Sequence, residues 1–185
     1  MLEEIYADTR ERMAKSTEAF RQELGRIRTG RASPQLLDGI RVDAYGSSVP
    51  LNQVATVSVP EPRLIVISVW DKALVGEIEK AILKSGLGLN PLIQGSLLRL
   101  PIPPLSEERR AEMVKLVKKM AEDAKVAVRN IRRDSIEMVR DLEKEKEISE
   151  DARHTAEVEI QKITDEFTQK IEKILADKEK ELTEF

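Results

Sequence analysis

Apolar residues recur at helical spacing in three stretches of the chain. In the first, Tyr6, Met13, Phe20 and Ile27 recur every seven residues, and Leu24 lies on the same face. In the second, steps of three and four residues join Met113, Val117, Met120, Ala124, Ala127, Ile131, Met138 and Leu142. In the third, similar steps join Ala152, Ala156, Ile160, Ile163, Phe167, Ile171 and Ile174. This spacing predicts three amphipathic helices, over residues 1–29, 107–145 and from residue 150 onward.

Local signals mark the ends of these helices. Ser106 and Ser149 are each followed by two acidic residues, which favours an N-cap at both positions. Gly30 is a suitable residue just beyond the first helix, because Pro34 prevents continuation. Since three apolar stripes must be buried against one another, we predict an antiparallel three-helix bundle formed by residues 1–30 and 105–185.

The middle of the chain has a different character, because all eight prolines lie within residues 34–104. Proline disrupts helix interiors, and this segment is rich in β-branched residues. We predict strands at Ile40–Tyr45, Val54–Val59, Leu64–Trp70 and Leu97–Ile102, and a helix at Ala73–Lys84 that is capped by Asp71 and stopped by Gly86. The predicted fold class is α+β: a three-helix bundle with a small α/β sandwich domain, residues 31–104, inserted after the first helix.

The inserted domain is joined to the bundle by two short chain crossings. Two short connections allow the inserted domain to rotate relative to the bundle but do not allow it to move independently, so we predict a hinge. Its residues are Gly30, Arg31, Pro103, Pro104 and Leu105.

The composition excludes most catalytic chemistry. The chain has no cysteine and one histidine, His154, so thiolate nucleophiles and multi-histidine metal sites are excluded. No glycine-rich phosphate loop and no HExxH pattern is present. We therefore expect a binding protein with no catalytic residues, metal or cofactor. The acidic start and the short apolar runs predict a cytoplasmic protein that does not enter a membrane.

The chain has a net charge of −3, but its basic and acidic residues are unevenly distributed along the sequence. Residues 110–133 carry eight basic and three acidic side chains, whereas residues 141–185 carry eight basic and fifteen acidic ones. On a helical wheel of about 100° per residue, five cations of the second helix lie together, roughly 140° from the predicted apolar stripe. We call them the basic ridge: Lys118, Lys125, Arg129, Arg132 and Arg133.

The basic ridge has two interpretations. A solvated charged face is the ordinary one. The arginines favour phosphate binding, because a planar guanidinium matches phosphate geometry. A second cluster, Arg21, Arg26, Arg28 and Arg31, can either complement the dipole of the first helix or bind phosphate as well. Because most of the six aromatics are expected in the core, no platform for stacked bases is predicted, and we expect structured RNA, bound through its backbone, as the ligand.

Six segments carry a resemblance to a known family. They are RTGRASP (28–34), LNPLIQGS (89–96), LPIPPLSEERR (100–110), VAVRNIRRD (126–134), EKEISED (145–151) and ADKEKEL (176–182). In order and separation these segments resemble the ribosome recycling factor family over essentially the whole chain. Leu92-Ile93 is less polar than the corresponding turn of many members.

The resemblance implies an L-shaped two-domain translation factor. Such a factor binds large-subunit ribosomal RNA and, together with elongation factor G, splits the ribosome after termination, while GTP is used by the partner. It also implies that Arg132 is the main RNA contact, with Arg129, Arg28 and Arg31 as further contacts. We expect a monomer. Two alternatives remain. One is a helical scaffold or chaperone-like interaction protein, which would not explain the inserted domain. The other is an RNA-processing enzyme.

Overall fold

Four helices and six strands form the fold in the computed structural model, which describes residues 1–184. The helices are α1 (Leu2–Gly25), α2 (Val75–Lys84), α3 (Glu107–Lys144) and α4 (Glu150–Glu184). The strands are β1 (Arg41–Ala44), β2 (Ser47–Pro50), β3 (Ala55–Glu61), β4 (Leu64–Val69), β5 (Leu92–Gln94) and β6 (Leu97–Pro101). The predicted combination of a helical bundle with a small sheet domain is confirmed.

The chain divides into two compact units. The helical unit comprises Met1–Leu24 and Ala111–Lys180, and the sheet unit comprises Gly25–Arg110 and the chain end from Glu181. All five predicted hinge residues therefore lie within the sheet unit.

Both long helices start at the predicted caps. The Ser106 hydroxyl accepts the N–H of Arg109 at 3.1 Å, and the Ser149 hydroxyl accepts the N–H of Ala152 at 3.1 Å. With 38 and 35 residues, α3 and α4 are about 57 and 53 Å long at 1.5 Å per residue.

Contacts between helices give their directions in the helical unit. Thr9 and Arg12 of α1 bond Ser135 and Asp134 of α3, so these two helices run in opposite directions. The partners along α3 and α4 also run in reverse order, Lys125 with Glu172, Arg132 with Gln161 and Arg140 with Glu157. The bundle is therefore antiparallel, as predicted.

The buried face of α3 differs from the predicted one. Its buried residues are Met113, Val117, Ala121, Ala124, Val128, Ile131, Ser135 and Val139. Met138, predicted in the core, is 43% exposed, whereas Val139 is fully buried; Met120, Ala127 and Leu142 are half-buried. The predicted residues centre roughly 140° from Lys118 on a wheel of about 100° per residue, whereas the buried residues centre roughly 100° from it. The prediction is therefore offset by roughly 40° along the whole helix, because packing against the neighbouring helices selects which part of the apolar face is covered.

Helix α1 ends earlier than predicted. It stops at Gly25, not next to Gly30, and Ile27 lies beyond it. Glycine is about 1 kcal/mol less favourable than alanine in a helix, and a Cβ at Gly25 would lie 2.1 Å from Oε1 of Gln35. Gly30 instead serves a turn, with a φ of 84°.

The sheet unit contains a four-stranded antiparallel sheet, in the order β3-β4-β6-β5, and a separate β1–β2 hairpin. Helix α2 follows a single 3₁₀ turn, Lys72–Leu74, which is capped by the Asp71 carboxylate as predicted. Buried residues of the sheet and of α2 form the core of this unit, among them Ile65, Ile67, Ile78, Ile82, Leu98 and Leu100.

Two strands, β2 and β5, are absent from the sequence-based prediction. The three residues of β5 are all exposed, so they show no alternation of burial. The β1–β2 hairpin turns through Tyr45 and Gly46, which both have positive φ, and tyrosine is not a usual signal for such a turn.

Both chain connections are tied to the β3–β4 turn within the sheet unit. The N–H of Ala32 donates to the carbonyl of Pro62 at 2.7 Å, and the N–H of Ile102 donates to the carbonyl of Arg63 at 2.7 Å. The segment from Ala32 to Ile102 is therefore closed by hydrogen bonds at both ends.

Candidate nucleic-acid interface

The basic ridge lies closer to the packed side of α3 than the sequence indicates. On a wheel of about 100° per residue, the centre of the buried face is roughly 100° from Lys118, not 140°. Arg132 and Lys125 consequently lie on the flank that meets α4, and both are half-buried. Arg129, Arg133 and Lys118 are exposed.

The C-terminal part of the basic ridge borders a shallow groove of about 500 Å³ in the helical unit. Five cations and two carboxylates line it, together with Ile136: Arg129, Arg132, Arg133, Arg140, Lys144, Glu137 and Asp141. We call this feature the basic groove. Its excess of guanidinium groups in a concave surface suits a phosphate-bearing ligand.

Arg132 has a neutral partner. Its Nε donates to Oε1 of Gln161 on α4 at 2.7 Å, and Nε2 of Gln161 donates to Oδ1 of Asp165 at 2.8 Å. Within residues 1–184 no carboxylate forms an ion pair with Arg132. The neutral amide of Gln161 thus orients the guanidinium, and no adjacent carboxylate offsets its positive charge.

Two other members of the basic ridge are paired with acids. Nη2 of Arg129 lies 2.9 Å from Oε1 of Glu122, and Nζ of Lys125 lies 3.2 Å from Oε1 of Glu172. The hydrogen bond from Arg129 lowers the pKa of the Glu122 carboxyl. The sequence predicts five outward cations, but these two carry compensated charge in the structure.

Arg133 and Lys118 are exposed, and no hydrogen bond or ion pair involves either of them in the described part of the chain. Their charges, together with that of Arg132, are the ones available to a ligand without displacing a protein carboxylate. The basic ridge therefore has three uncompensated cations.

Arg140 belongs to an ion-pair network that joins the basic groove to α4. It lies 2.9 Å from Glu157, which also accepts a hydrogen bond from Arg153 at 3.3 Å. Arg153 in turn pairs with Glu143. Burial, the largest influence, raises the pKa of the Glu157 carboxyl, but the bonds and charges of the two arginines together outweigh it and the pKa is lowered.

Sequence reasoning missed Lys144, Gln161 and Asp165 as parts of this site. Lys144 follows Arg133 and Arg140 at helical spacing, so a longer wheel would have included it. Gln161 and Asp165 lie in another helix, and no local pattern identifies them as neighbours of Arg132.

Arg28 and Arg31 belong to the sheet unit and not to the basic groove. The guanidinium of Arg28 donates to the carbonyls of Leu87 at 3.5 Å and Pro103 at 3.3 Å, and its Nε is buried. Arg31 is exposed, and its Nη1 lies 4.0 Å from Glu181. Arg28 thus braces the chain connection at Pro103, a structural role that the sequence does not reveal.

The prediction that most aromatic side chains lie in the core is wrong for Trp70 and Tyr45. Trp70 is 64% exposed and donates from Nε1 to the hydroxyl of Thr56 at 3.0 Å. Tyr45 is also exposed, and its hydroxyl donates to Asp71. Both belong to the sheet unit, whereas the basic groove belongs to the helical unit.

The described residues contain no cluster of three or more side chains suited to a metal ion. His154 is exposed beside Arg153 and Glu150. No helix within residues 1–184 combines the length and the apolar character that a bilayer crossing requires.

Comparisons with known proteins agree on one family. A family model described as ribosome recycling factor matches residues 20–183. The ribosome-recycling factor of Syntrophobacter fumaroxidans is 54% identical over 184 residues, and the match covers all of both chains.

Two solved structures are similar along almost the whole chain. One is a solution structure of a ribosome recycling factor, with a TM-score of 0.81, 45% identity, and coverage of 100% of this chain and 98% of the other. The second is described as models for the T. thermophilus ribosome recycling factor and the E. coli elongation factor G bound to the E. coli post-termination complex. It has a TM-score of 0.71 and 49% identity, and covers 98% of each chain.

Proposed function

Because the chain belongs to the ribosome recycling factor family, we propose that it acts with elongation factor G to split the ribosome after termination. It is a translation factor without catalytic activity or a cofactor of its own, and GTP is consumed by the partner GTPase. We further propose that it works in the cytoplasm as a monomer.

The basic groove is proposed as the contact with large-subunit ribosomal RNA. The observation that carries this proposal is the oriented but uncompensated guanidinium of Arg132, with Arg133 exposed beside it. Lys118 is an exposed cation about 21 Å further along α3 and outside the basic groove. Folded RNA presents closely spaced phosphates, and each phosphate neutralised by a protein cation releases counterions. Arg129 and Lys125 contact phosphate only after exchanging their carboxylate partners, Glu122 and Glu172.

The sheet unit is proposed to act as a lever driven by elongation factor G. Hydrogen bonds tie the connections at Ala32 and Ile102 to the same β-turn, so we place the hinge outside them. Its residues remain Gly30, Arg31, Pro103, Pro104 and Leu105. Replacing Pro104 with Gly should reduce splitting more than binding, because the change loosens the connection without removing a cation; equal losses in both would contradict this position of the hinge.

Binding to purified large subunits tests the RNA contact. Arg132→Glu removes a charge-assisted interaction of about 1.5–3 kcal/mol, which corresponds to a loss of affinity of roughly 10- to 150-fold. Lys173→Glu is the matched control, since Lys173 is an exposed cation of α4 outside the basic groove. Wild-type affinity for Arg132→Glu, with unchanged helical circular dichroism, would refute the contact.

Ribosome splitting tests the wider function. Post-termination ribosomes should separate into subunits only when the factor, elongation factor G and GTP are all present. Splitting that proceeds equally well without the factor would contradict the proposal. Binding to large subunits that is insensitive to salt would instead favour a protein scaffold.

A further inference from the structure

We propose that Gln161 is a positioning residue that holds the Arg132 guanidinium ready for phosphate without neutralising it. This inference rests on the proposed function, since it concerns the same RNA contact. The side chain of Gln161 is an uncharged amide. It lies between the Arg132 guanidinium and the Asp165 carboxylate and forms a hydrogen bond with each.

The amide connects a pure donor to a pure acceptor. An arginine side chain has only N–H donors, and an ionised aspartate has only acceptors. Gln161 accepts from Nε of Arg132 at 2.7 Å and donates to Oδ1 of Asp165 at 2.8 Å. Among side chains of this length, a glutamate could accept from Arg132 but could not donate to Asp165 when both carboxyl groups are ionised.

Asp165 sets the orientation of this amide. It lies one turn further along α4, at the spacing that brings side chains together. A reversed amide would direct its NH₂ group at the Nε–H of Arg132 and its oxygen at the Asp165 carboxylate. Both contacts would then be repulsive, so Asp165 keeps the acceptor oxygen directed at Arg132.

The bond to Nε leaves the other edge of the guanidinium for a ligand. No hydrogen bond within residues 1–184 involves the two terminal nitrogens of Arg132. These nitrogens form a fork that can bind a phosphate through two parallel hydrogen bonds. Arg129 and Arg140 differ, because each is paired with a carboxylate, at 2.9 Å in both cases.

The experiment measures the dissociation constant for purified large ribosomal subunits at several KCl concentrations. Gln161→Glu should weaken binding by about tenfold, the effect of losing one charge-assisted contact. It should also reduce the slope of log affinity against log salt by about 0.7–0.9, because Arg132 no longer neutralises a phosphate. Gln161→Met should weaken binding severalfold with the slope unchanged, because the charge remains while its orientation is lost.

Gln169→Glu is the matched control. Gln169 is exposed on the same helix, and the change adds the same charge away from Arg132. It should retain the wild-type affinity and slope. Thermal unfolding of Gln161→Glu should be only slightly below the wild type, since the introduced carboxylate still accepts from Arg132 but repels Asp165. Because Gln161→Met adds no charge, its binding separates the loss of orientation from this change in stability.

The outcomes separate this inference from the proposed function. If Arg132→Glu weakens binding but Gln161→Glu and Gln161→Met bind like the wild type, the positioning role is overturned and the RNA contact stands. If Gln169→Glu weakens binding as much as Gln161→Glu, the effect is one of net charge and the positioning role is also overturned. If Arg132→Glu binds normally, the RNA contact itself fails.

Discussion

The turn between α3 and α4 contains a strained residue whose replacement should stabilise the protein. Lys146 has a φ of 62°, in the left-handed region. Its N–H donates to the carbonyl of Glu143 at 3.0 Å, and the N–H of Glu147 donates to the carbonyl of Leu142 at 2.9 Å. This pair of bonds is the Schellman arrangement, in which glycine is the preferred residue at the position of Lys146.

The magnitude follows from two opposing effects of Lys146→Gly. A left-handed conformation costs a residue with a Cβ about 1–2 kcal/mol. Glycine offsets part of that gain, because it loses roughly 0.5–1 kcal/mol more conformational entropy on folding. The net expectation is a gain of about 0.5–1 kcal/mol, which raises the melting temperature by about 1–4 °C for a chain of this size.

Denaturation followed by helical circular dichroism measures the effect. Lys119→Gly is the matched control, because Lys119 is an exposed lysine inside α3, where glycine should cost about 1 kcal/mol. Lys146→Gly and Lys119→Gly should therefore shift stability in opposite directions. A loss of stability for Lys146→Gly would refute the assignment of strain to this turn.

Three further predictions concern the bundle. Val139→Ala should destabilise the protein by about 2 kcal/mol because Val139 is fully buried, while Met138→Ala should change the free energy of unfolding by less than about 0.5 kcal/mol; equal effects in thermal denaturation would contradict the observed register. Ser149→Ala should cost about 1 kcal/mol by removing the N-cap of α4, and an unchanged denaturation midpoint would count against the cap. The lowered pKa of Glu157 means that its ionised form stabilises the fold above the ordinary value of 4.5, and this contribution disappears as the pH falls through the lower folded-state pKa. The difference in unfolding free energy between wild type and Glu157→Gln should therefore shrink on acidification, and a constant difference from pH 7 to 3 would contradict it.

Several local signals in the sequence predict the observed caps and turns correctly. Ser106 and Ser149 are N-caps, Asp71 caps the turn before α2, and Gly86, with a φ of 74°, follows α2 closely. Each of these features depends on a hydrogen bond or a backbone angle near one residue. The sequence alone is sufficient for such features.

Features that depend on tertiary packing are predicted less accurately from the sequence. The buried face of α3 was misplaced by one residue at Met138, because only the neighbouring helices select the face that is covered. The end of α1 was placed at Gly30, although the chain leaves the helix at Gly25, where Gln35 approaches closely. In both cases the deciding atoms are distant in sequence.

By itself, the sequence determined the three amphipathic helices, the inserted domain and the concentration of cations in residues 110–133, because periodicity, proline placement and charge are properties of the chain. Only the tertiary structure decided which cations have a carboxylate beside them that offsets their charge. Arg132 meets the neutral Gln161, whereas Arg140 meets Glu157 and Lys125 meets Glu172. Interactions between charges depend on distances of a few ångströms, and the packing of α3 against α4 sets those distances.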